Sequence, residues 1–352
     1  MIRNWIKAGA ATVLARTGMD HIAESLSGLG NIPVVIGYHR VVEDFASSAQ
    51  TSIPSLLISR QMLERHLDWI GRRFRFVTLD EVGSRLESRT RLDRPMAAIT
   101  FDDGYRDFCD LAFPLLQKKG IPAAVFVVTD LIGTKRTQVH DKLYALLAQR
   151  SGCDIPNNWG GISLPDVASL TPYQATRVLI EALPLAAVEH VVSILEEEAS
   201  LSEGITDSFR SLTWEMLSEI QRAGMIVGSH TKTHTLLPNE SERRVMDEVV
   251  GSRQAIEKML GVEVKHFTYP SGLFTTRSVS AVAAAGYRFG YTGCTHRDPW
   301  HPLLTIPRTV LWENSSLDGG RSFSGPVLGC QIRHAFDWVN GCRRQHTVCG
   351  DN

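Results

Sequence analysis

The sequence predicts an α/β fold built on a mostly parallel sheet. Three observations carry that expectation. Short apolar runs alternate with segments of helical period, Gly and Pro punctuate them, and polar residues follow the carboxyl ends of the runs. At 352 residues the chain can bury one large core or two moderate ones.

The elements follow in order. Residues 32–37 read as a first strand ending at Tyr38-His39. Leu63, Leu67 and Ile70 mark one face of a helix, and 74–79 reads as a strand. Residues 96–101, all apolar but one, form a buried strand that runs into Asp102-Asp103-Gly104-Tyr105. Phe108, Leu111 and Leu115 recur at helical spacing until Gly120, a C′ residue before Ile121-Pro122. A further buried strand covers 123–128. Thr213 is placed to N-cap a helix carrying Leu217 and Ile220, which Gly224 ends before the apolar run 225–228. Val245, Val249 and Ile256 face one side of a helix closing at Gly261. A short helix is expected over 278–285, and late strands over 287–292 and 304–310.

Residues 133–212 break this rhythm and read as an insertion between consecutive strands rather than a second core. The stretch 154–161 is loop-like, and 175–200 is helical with a break at Pro184. Two readings fit it: a roof over a substrate groove, or a helical outgrowth without substrate contact. The expected organisation is an N-terminal helical segment (1–30), a main domain (31–330) carrying the insertion, and a tail (331–352).

Composition bounds the function. A net charge of −1 points to no nucleic acid partner. Six cysteines contain no Cys-x-x-Cys pair, so reduced thiols are expected, with a disulfide among Cys330, Cys342 and Cys349 the alternative. No stretch approaches the roughly 20 apolar residues of a transmembrane helix. Near the start, Ile2, Trp5, Ile6 and Val13 share a helical face, with Arg3 and Lys7 elsewhere. That pattern suits a helix packed on the main domain, or one resting on anionic lipid. A cytoplasmic protein is expected, with peripheral membrane contact open.

Two motifs carry chemistry. Asp102 and Asp103 are adjacent carboxylates at a strand end, where two like charges raise each other's pKa unless a cation neutralises one. His230 and His234, at i and i+4 in Gly-Ser-His-Thr-Lys-Thr-His, can reach one metal. With one Asp they make a two-His, one-carboxylate site, leaving the neighbouring Asp to act as a base. Taken singly, the histidine pair is a weak signal and the Asp pair fits a helix cap; together they are far stronger. His39, Asp102, Asp103, His230 and Tyr269 all follow expected strand ends, and in β/α barrels that face carries the active site.

Thr-Phe-Asp-Asp-Gly-Tyr at 100–105 followed by His-Thr-x-x-His at 230–234 resembles the first two motifs of the polysaccharide deacetylases, carbohydrate esterase family 4 with NodB homology. The resemblance covers roughly 32 to 312, interrupted by the insertion. Phe267-Thr268-Tyr269-Pro270-Ser271-Gly272 sits where the third motif belongs, with Thr268 where an Arg is usual. Gly37-Tyr38-His39-Arg40-Val41 is similar to a segment of the poly-N-acetylglucosamine deacetylase branch, in which an early His fills the role of a late one.

The resemblance implies an incomplete or distorted (β/α) barrel of the NodB type with a helical insertion, and metal-dependent N-deacetylation of an N-acetylated glycan, in exopolysaccharide or envelope-glycan processing. Asp103, His230 and His234 are then the ligands of a divalent metal, zinc being expected and cobalt, nickel or iron also suited. Asp102 is the base, the backbone N–H of Tyr105 helps hold the oxyanion, and His39 is the candidate acid. Tyr269 and Pro270 would wall the acetyl pocket, and Arg308 would orient Asp102 in place of the usual Arg. Structural roles compete for three of these: a strand-end His for His39, packing for Tyr269 and Pro270. Trp300 and Trp312 could stack on sugar or simply pack; His296 and His301 are expected in a surface loop; His140-Asp141 has no assigned role. The rival functions are an O-acetyl esterase or non-sugar amide hydrolase on the same site, and a non-catalytic glycan-binding protein.

Overall fold

Strands and helices alternate along nearly the whole of the structure, a computed structural model that describes residues 33–88, 94–150, 153, 155, 156 and 158–334. The expected segment 1–30 and the tail beyond 334 lie outside these residues. The strands are β1 (Val34–Tyr38), β2 (Arg40–Val42), β3 (Leu57–Ser59), β4 (Arg75–Phe76), β5 (Met96–Phe101), β6 (Ala123–Val127), β7 (Asn158–Trp159), β8 (Ile162–Ser163), β9 (Ile226–Ser229), β10 (His266–Thr268), β11 (Phe289–Thr292), β12 (Ile306–Pro307) and β13 (Thr309–Val310). Parallel pairing runs in the order β12-β11-β10-β9-β6-β5-β1-β13, and β4 lies beside the start of β5.

The result is a nearly closed parallel barrel with one unsealed seam. Its two edge strands, β12 and β13, are consecutive in the chain and separated by Arg308 alone. The expected single strand over 304–310 is therefore split. Ile306 and Pro307 pair with β11, whereas Thr309 and Val310 pair with β1, and the chain changes neighbour at Arg308. The expected strand over 74–79 is also shorter. Thr78 turns the chain into the helix Leu79–Ser88, its hydroxyl accepting from the Glu81 N–H at 3.2 Å in the manner of an N-cap.

The period of two along each strand divides the core into two faces. Outward residues such as Ile36, Ile99, Phe101, Val125 and Val127 pack beneath helices that present Leu63, Leu67, Leu217, Ile220, Val245 and Val249. Inward residues Val35, Ala98, Ala124, Phe126, Tyr291 and Ile306 fill the barrel. One step further along the inward series fall His39, Asp102, His230 and Arg308, at the carboxyl ends of β1, β5, β9 and β12.

Helix boundaries follow local chemistry. The side chain of Thr213 accepts from the Met216 N–H to open the helix Trp214–Arg222. Gly120 and Gly261 adopt left-handed conformations at the ends of Phe113–Lys119 and Glu242–Leu260. The insertion lies between β6 and β9, which are neighbours in the sheet. It holds the helices Val139–Gln149, Pro172–Ala182 and Leu185–Glu198, and, against expectation, buries an apolar cluster of its own around Leu143, Leu147, Leu179, Val191 and Leu195. Asn239 ties it to the barrel, its amide donating to the carbonyls of Ile180, Glu181 and Leu183 at 3.1–3.2 Å.

Candidate active site

Backbone strain among the described residues concentrates at the barrel mouth. Of six non-glycine residues at positive φ, four are Asp103, Thr231, His234 and Ser271. A β-branched residue such as Thr231 rarely adopts this conformation unless its surroundings enforce it. Here the enforcement comes from Glu248, which is fully buried on the inward stripe of the helix Glu242–Leu260. Its carboxylate accepts from the Lys232 and Thr233 N–H groups at 2.8 and 2.9 Å and from the Thr233 hydroxyl at 2.7 Å. The loop 230–234 is thereby curled so that both imidazoles face Asp103.

His230 Nε2 and His234 Nε2 lie 3.4 and 3.1 Å from Asp103 Oδ1. The three ligand atoms are within 4.8 Å of one another. Asp103 Oδ1 is buried and accepts no hydrogen bond. His230 Nδ1 lies 2.9 Å from the Thr268 carbonyl, which requires the proton on Nδ1 and leaves Nε2 as the lone-pair donor. One carboxylate oxygen and two imidazole nitrogens, that of His230 so oriented, suit a divalent transition metal. Burial would raise the Asp103 carboxyl, but His234 and His230 outweigh it and hold it well below the usual range.

Asp102 turns the other way, into the seam. Its oxygens accept two parallel hydrogen bonds from Arg308, Nη1 to Oδ1 at 2.8 Å and Nη2 to Oδ2 at 2.6 Å. Burial alone would raise this carboxyl; the Arg308 guanidinium, helped by His230 and His39, holds it below the usual range. Arg308 is itself buried and also donates to the Thr100 and Thr268 hydroxyls at 3.1 and 2.6 Å. Thr268, where the resemblance led to the expectation of an Arg, thus receives a guanidinium from another strand.

His39 follows β1 and lines the same cavity, with its Nδ1 buried and without a hydrogen-bond partner. Burial lowers its pKa against the opposing pull of Asp103 and Asp102. Tyr105 is fully buried, and its backbone is opposite Ser211 in an isolated bridge. The flanking bonds, Arg106 N–H to Arg210 and Leu212 N–H to Gly104, leave the Tyr105 N–H outside that pairing. Tyr269 is buried in the cavity wall with its hydroxyl unpartnered. Pro270 is buried behind the wall, which is formed at that point by Ser271 and Gly272.

The cavity holds about 400 Å³ and takes one side from the insertion helix Pro172–Ala182, through Tyr173, Thr176, Arg177, Ile180 and Glu181. Trp312 lines it too, whereas Trp300 is 82 % exposed away from it, and His296 and His301 are not in its wall. Sequence reasoning missed His140 and Asp141. Both are buried, and the His140 ring lies 4.8 Å from that of His234. It also missed Glu248, although an acid between Val245 and Val249 on an apolar helical stripe was a readable signal.

A family model described as polysaccharide deacetylase matches residues 89–290. The chain belongs to the polysaccharide deacetylase family. Among its relatives, YxkH of Bacillus subtilis (strain 168) is 20 % identical over 248 residues, which is 69 % of this chain and 62 % of that protein. The poly-beta-1,6-N-acetyl-D-glucosamine N-deacetylase of Staphylococcus epidermidis is 30 % identical over 112 residues, 30 % of this chain and 38 % of the relative. The chain therefore spans less than two thirds of the length of either relative. The solved structure of the Streptococcus pyogenes deacetylase PplD in complex with acetate shares the fold, with TM-score 0.55 at 18 % identity over 86 % of this chain and 98 % of the other. IcaB from Ammonifex degensii does likewise, with TM-score 0.53 at 20 % identity and the same coverage. These likenesses establish the NodB-type barrel.

Proposed function

We propose that this polysaccharide deacetylase family member removes acetyl groups from N-acetylated amino sugars of a glycan, releasing acetate and leaving a free amine. The observation that carries the reading is the pairing of two carboxylates with opposite tasks. Asp103 faces two imidazoles, while Asp102, one residue away, is kept ionised by Arg308 and free of the metal set. Asp103, His230 and His234 would hold the cation, zinc being the expected ion. When bound, a divalent metal there supplies a Lewis acid that polarises an acyl carbonyl and eases loss of a proton from water.

The chain's own groups do the rest. Asp102, ionised at neutral pH, accepts the proton of the attacking water. The Tyr105 N–H, left outside its bridge, is available to the developing oxyanion. His39 is placed to deliver a proton to the departing amine, and Arg308 keeps Asp102 aimed and charged. Tyr269, Ser271 and Gly272 bound the acyl end of the cavity, and the insertion helix bounds the glycan end.

The test is acetate and amine release from N-acetylglucosamine oligomers by metal-loaded protein, beside Asp102→Asn and His230→Ala. Release of both products, lost in each variant, is expected. Acetate without amine from O-acetylated glycans would move the activity to an ester, and silence from the metal-loaded protein on all of them would overturn the reading.

A further inference from the structure

The insertion's first helix, Val139–Gln149, opens against the turn that carries the two carboxylates. Its N-cap residue Gln138 and two of its own residues bond to that turn. Gln138 donates through Nε2 to the Asp103 carbonyl at 3.3 Å. The Tyr105 hydroxyl donates to Asp141 Oδ2 at 2.6 Å. His140 Nε2 lies 3.1 Å from the same hydroxyl. Burial pushes the Asp141 carboxyl up to about 7; in its ionised form it takes the one proton of the phenol, and His140 is then the donor through its Nε2–H. Asp141 is fully buried and belongs to no metal or base in the mechanism above.

The turn has reason to be held. Asp103 and Gly104 are successive left-handed residues, with φ 72° and 68°. A Cβ at Gly104 would meet the Val127 side chain at 3.1 Å, so the turn is packed tightly against β6. On its other side the Arg40 guanidinium lies 5.0 Å from the Tyr105 ring centre, fixed by Asp107 at 3.0 Å. Arg40 and β6 confine the ring and the backbone, but among the described residues only the insertion bonds to the hydroxyl.

We propose that Asp141, with His140 and Gln138, is a positioning device: the insertion latches the Asp102–Tyr105 turn through the Tyr105 phenol and so sets the place of the Tyr105 N–H. The insertion then completes the catalytic turn as well as walling the groove. For its kinetic consequence the inference rests on the deacetylase reading; its structural content does not.

The experiment compares metal-loaded wild type with Asp141→Leu, Asp141→Asn and Tyr105→Phe. Hydrogen exchange, read by mass spectrometry on the peptide containing residues 102–108, is expected to quicken in Asp141→Leu and Tyr105→Phe. In Asp141→Asn, whose amide oxygen still accepts from the phenol, it should stay near wild type. Correspondingly, kcat should fall about ten- to a hundredfold in the first two, with KM and metal content held, and no further in the double variant Asp141→Leu/Tyr105→Phe. Exchange unchanged in Asp141→Leu would overturn the latch. So would a kcat loss matched by lost metal, which would make Asp141 a support of the metal site alone. If wild type releases no acetate from any glycan, the deacetylase reading fails, and the exchange comparison still decides the latch.

Discussion

Arg308 and Asp102, 206 residues apart in sequence, form a buried two-pronged ion pair across the seam of the barrel. The pair occupies the one place where the chain leaves β11 and joins β1, so the break in the last strand and the charge on the candidate base have a common cause.

Replacing Arg308 by Ala would leave the Asp102 charge buried and unpaired, a loss of about 3–5 kcal/mol for such pairs. Arg308→Lys keeps the charge but not the fork that matches a carboxylate. We expect Arg308→Ala to lower the thermal midpoint sharply, and Arg308→Lys to stay folded with kcat lowered about tenfold or more. Thermal melts and acetate-release kinetics read both. Wild-type kcat in Arg308→Lys would show that Asp102 does not depend on the fork.

Glu248 holds the 230–234 loop through backbone amides, without facing Asp103 itself. Outer partners of this kind typically contribute about 10- to 100-fold in metal affinity. Glu248→Ala is therefore expected to weaken zinc binding by about that factor in competition with a chromophoric chelator, with helix content retained. Unaltered affinity would mean that the loop keeps its curl without Glu248.

His66 provides a pH dependence remote from the metal set. It bridges Tyr38 and Ser316 in the core at 3.2 and 2.7 Å, and burial lowers its pKa from 6.5 to about 3. Between these values the unfolded chain binds a proton that the folded one does not. Its contribution is thus fully present above pH 6.5 and is lost as the pH falls toward 3, at up to about 1.4 kcal/mol per unit. Melts between about pH 7.5 and 4.5 should decline less steeply for His66→Gln than for wild type. Equal slopes would place the acid sensitivity elsewhere.

The groove wall from the insertion predicts a change in substrate preference. Tyr173 and Arg177 line the cavity on one face of the helix Pro172–Ala182, beyond the residues around Asp103. Tyr173→Ala and Arg177→Ala should raise KM for oligomers several-fold while kcat stays close to wild type, because they would touch sugars that do not react. An unchanged KM for every oligomer length would make the insertion a helical outgrowth without substrate contact.

Much of this was legible in the chain. The apolar runs and their period located β1, β5, β6, β9 and β11 within a few residues, and Gly120, Thr213 and Gly261 marked helix ends. The same runs placed His39, Asp102 and His230 just past strand ends, since where an apolar run stops is a local property. Thr78 and Arg308 were where this reading failed. A capping hydroxyl ended one strand early, and a change of neighbour split another, neither of which apolar content reports.

By itself the sequence determined the parallel α/β class, the Asp-Asp and His-x-x-x-His pairs and the end of the sheet they occupy, because these depend on periodicity and on spacings of a few residues; the barrel was what the family resemblance implied. Only the tertiary structure decided that Arg308, expected to orient Asp102, does so across the seam from a split strand, that Glu248 curls the histidine loop, and that His140 and Asp141 come from the insertion to grip Tyr105. Those partners are separated by 206, 15–16 and 35–36 residues. Burial makes each of them find a hydrogen bond, but which partner each finds is set by how the strands close around the seam and how the insertion folds back on the barrel mouth.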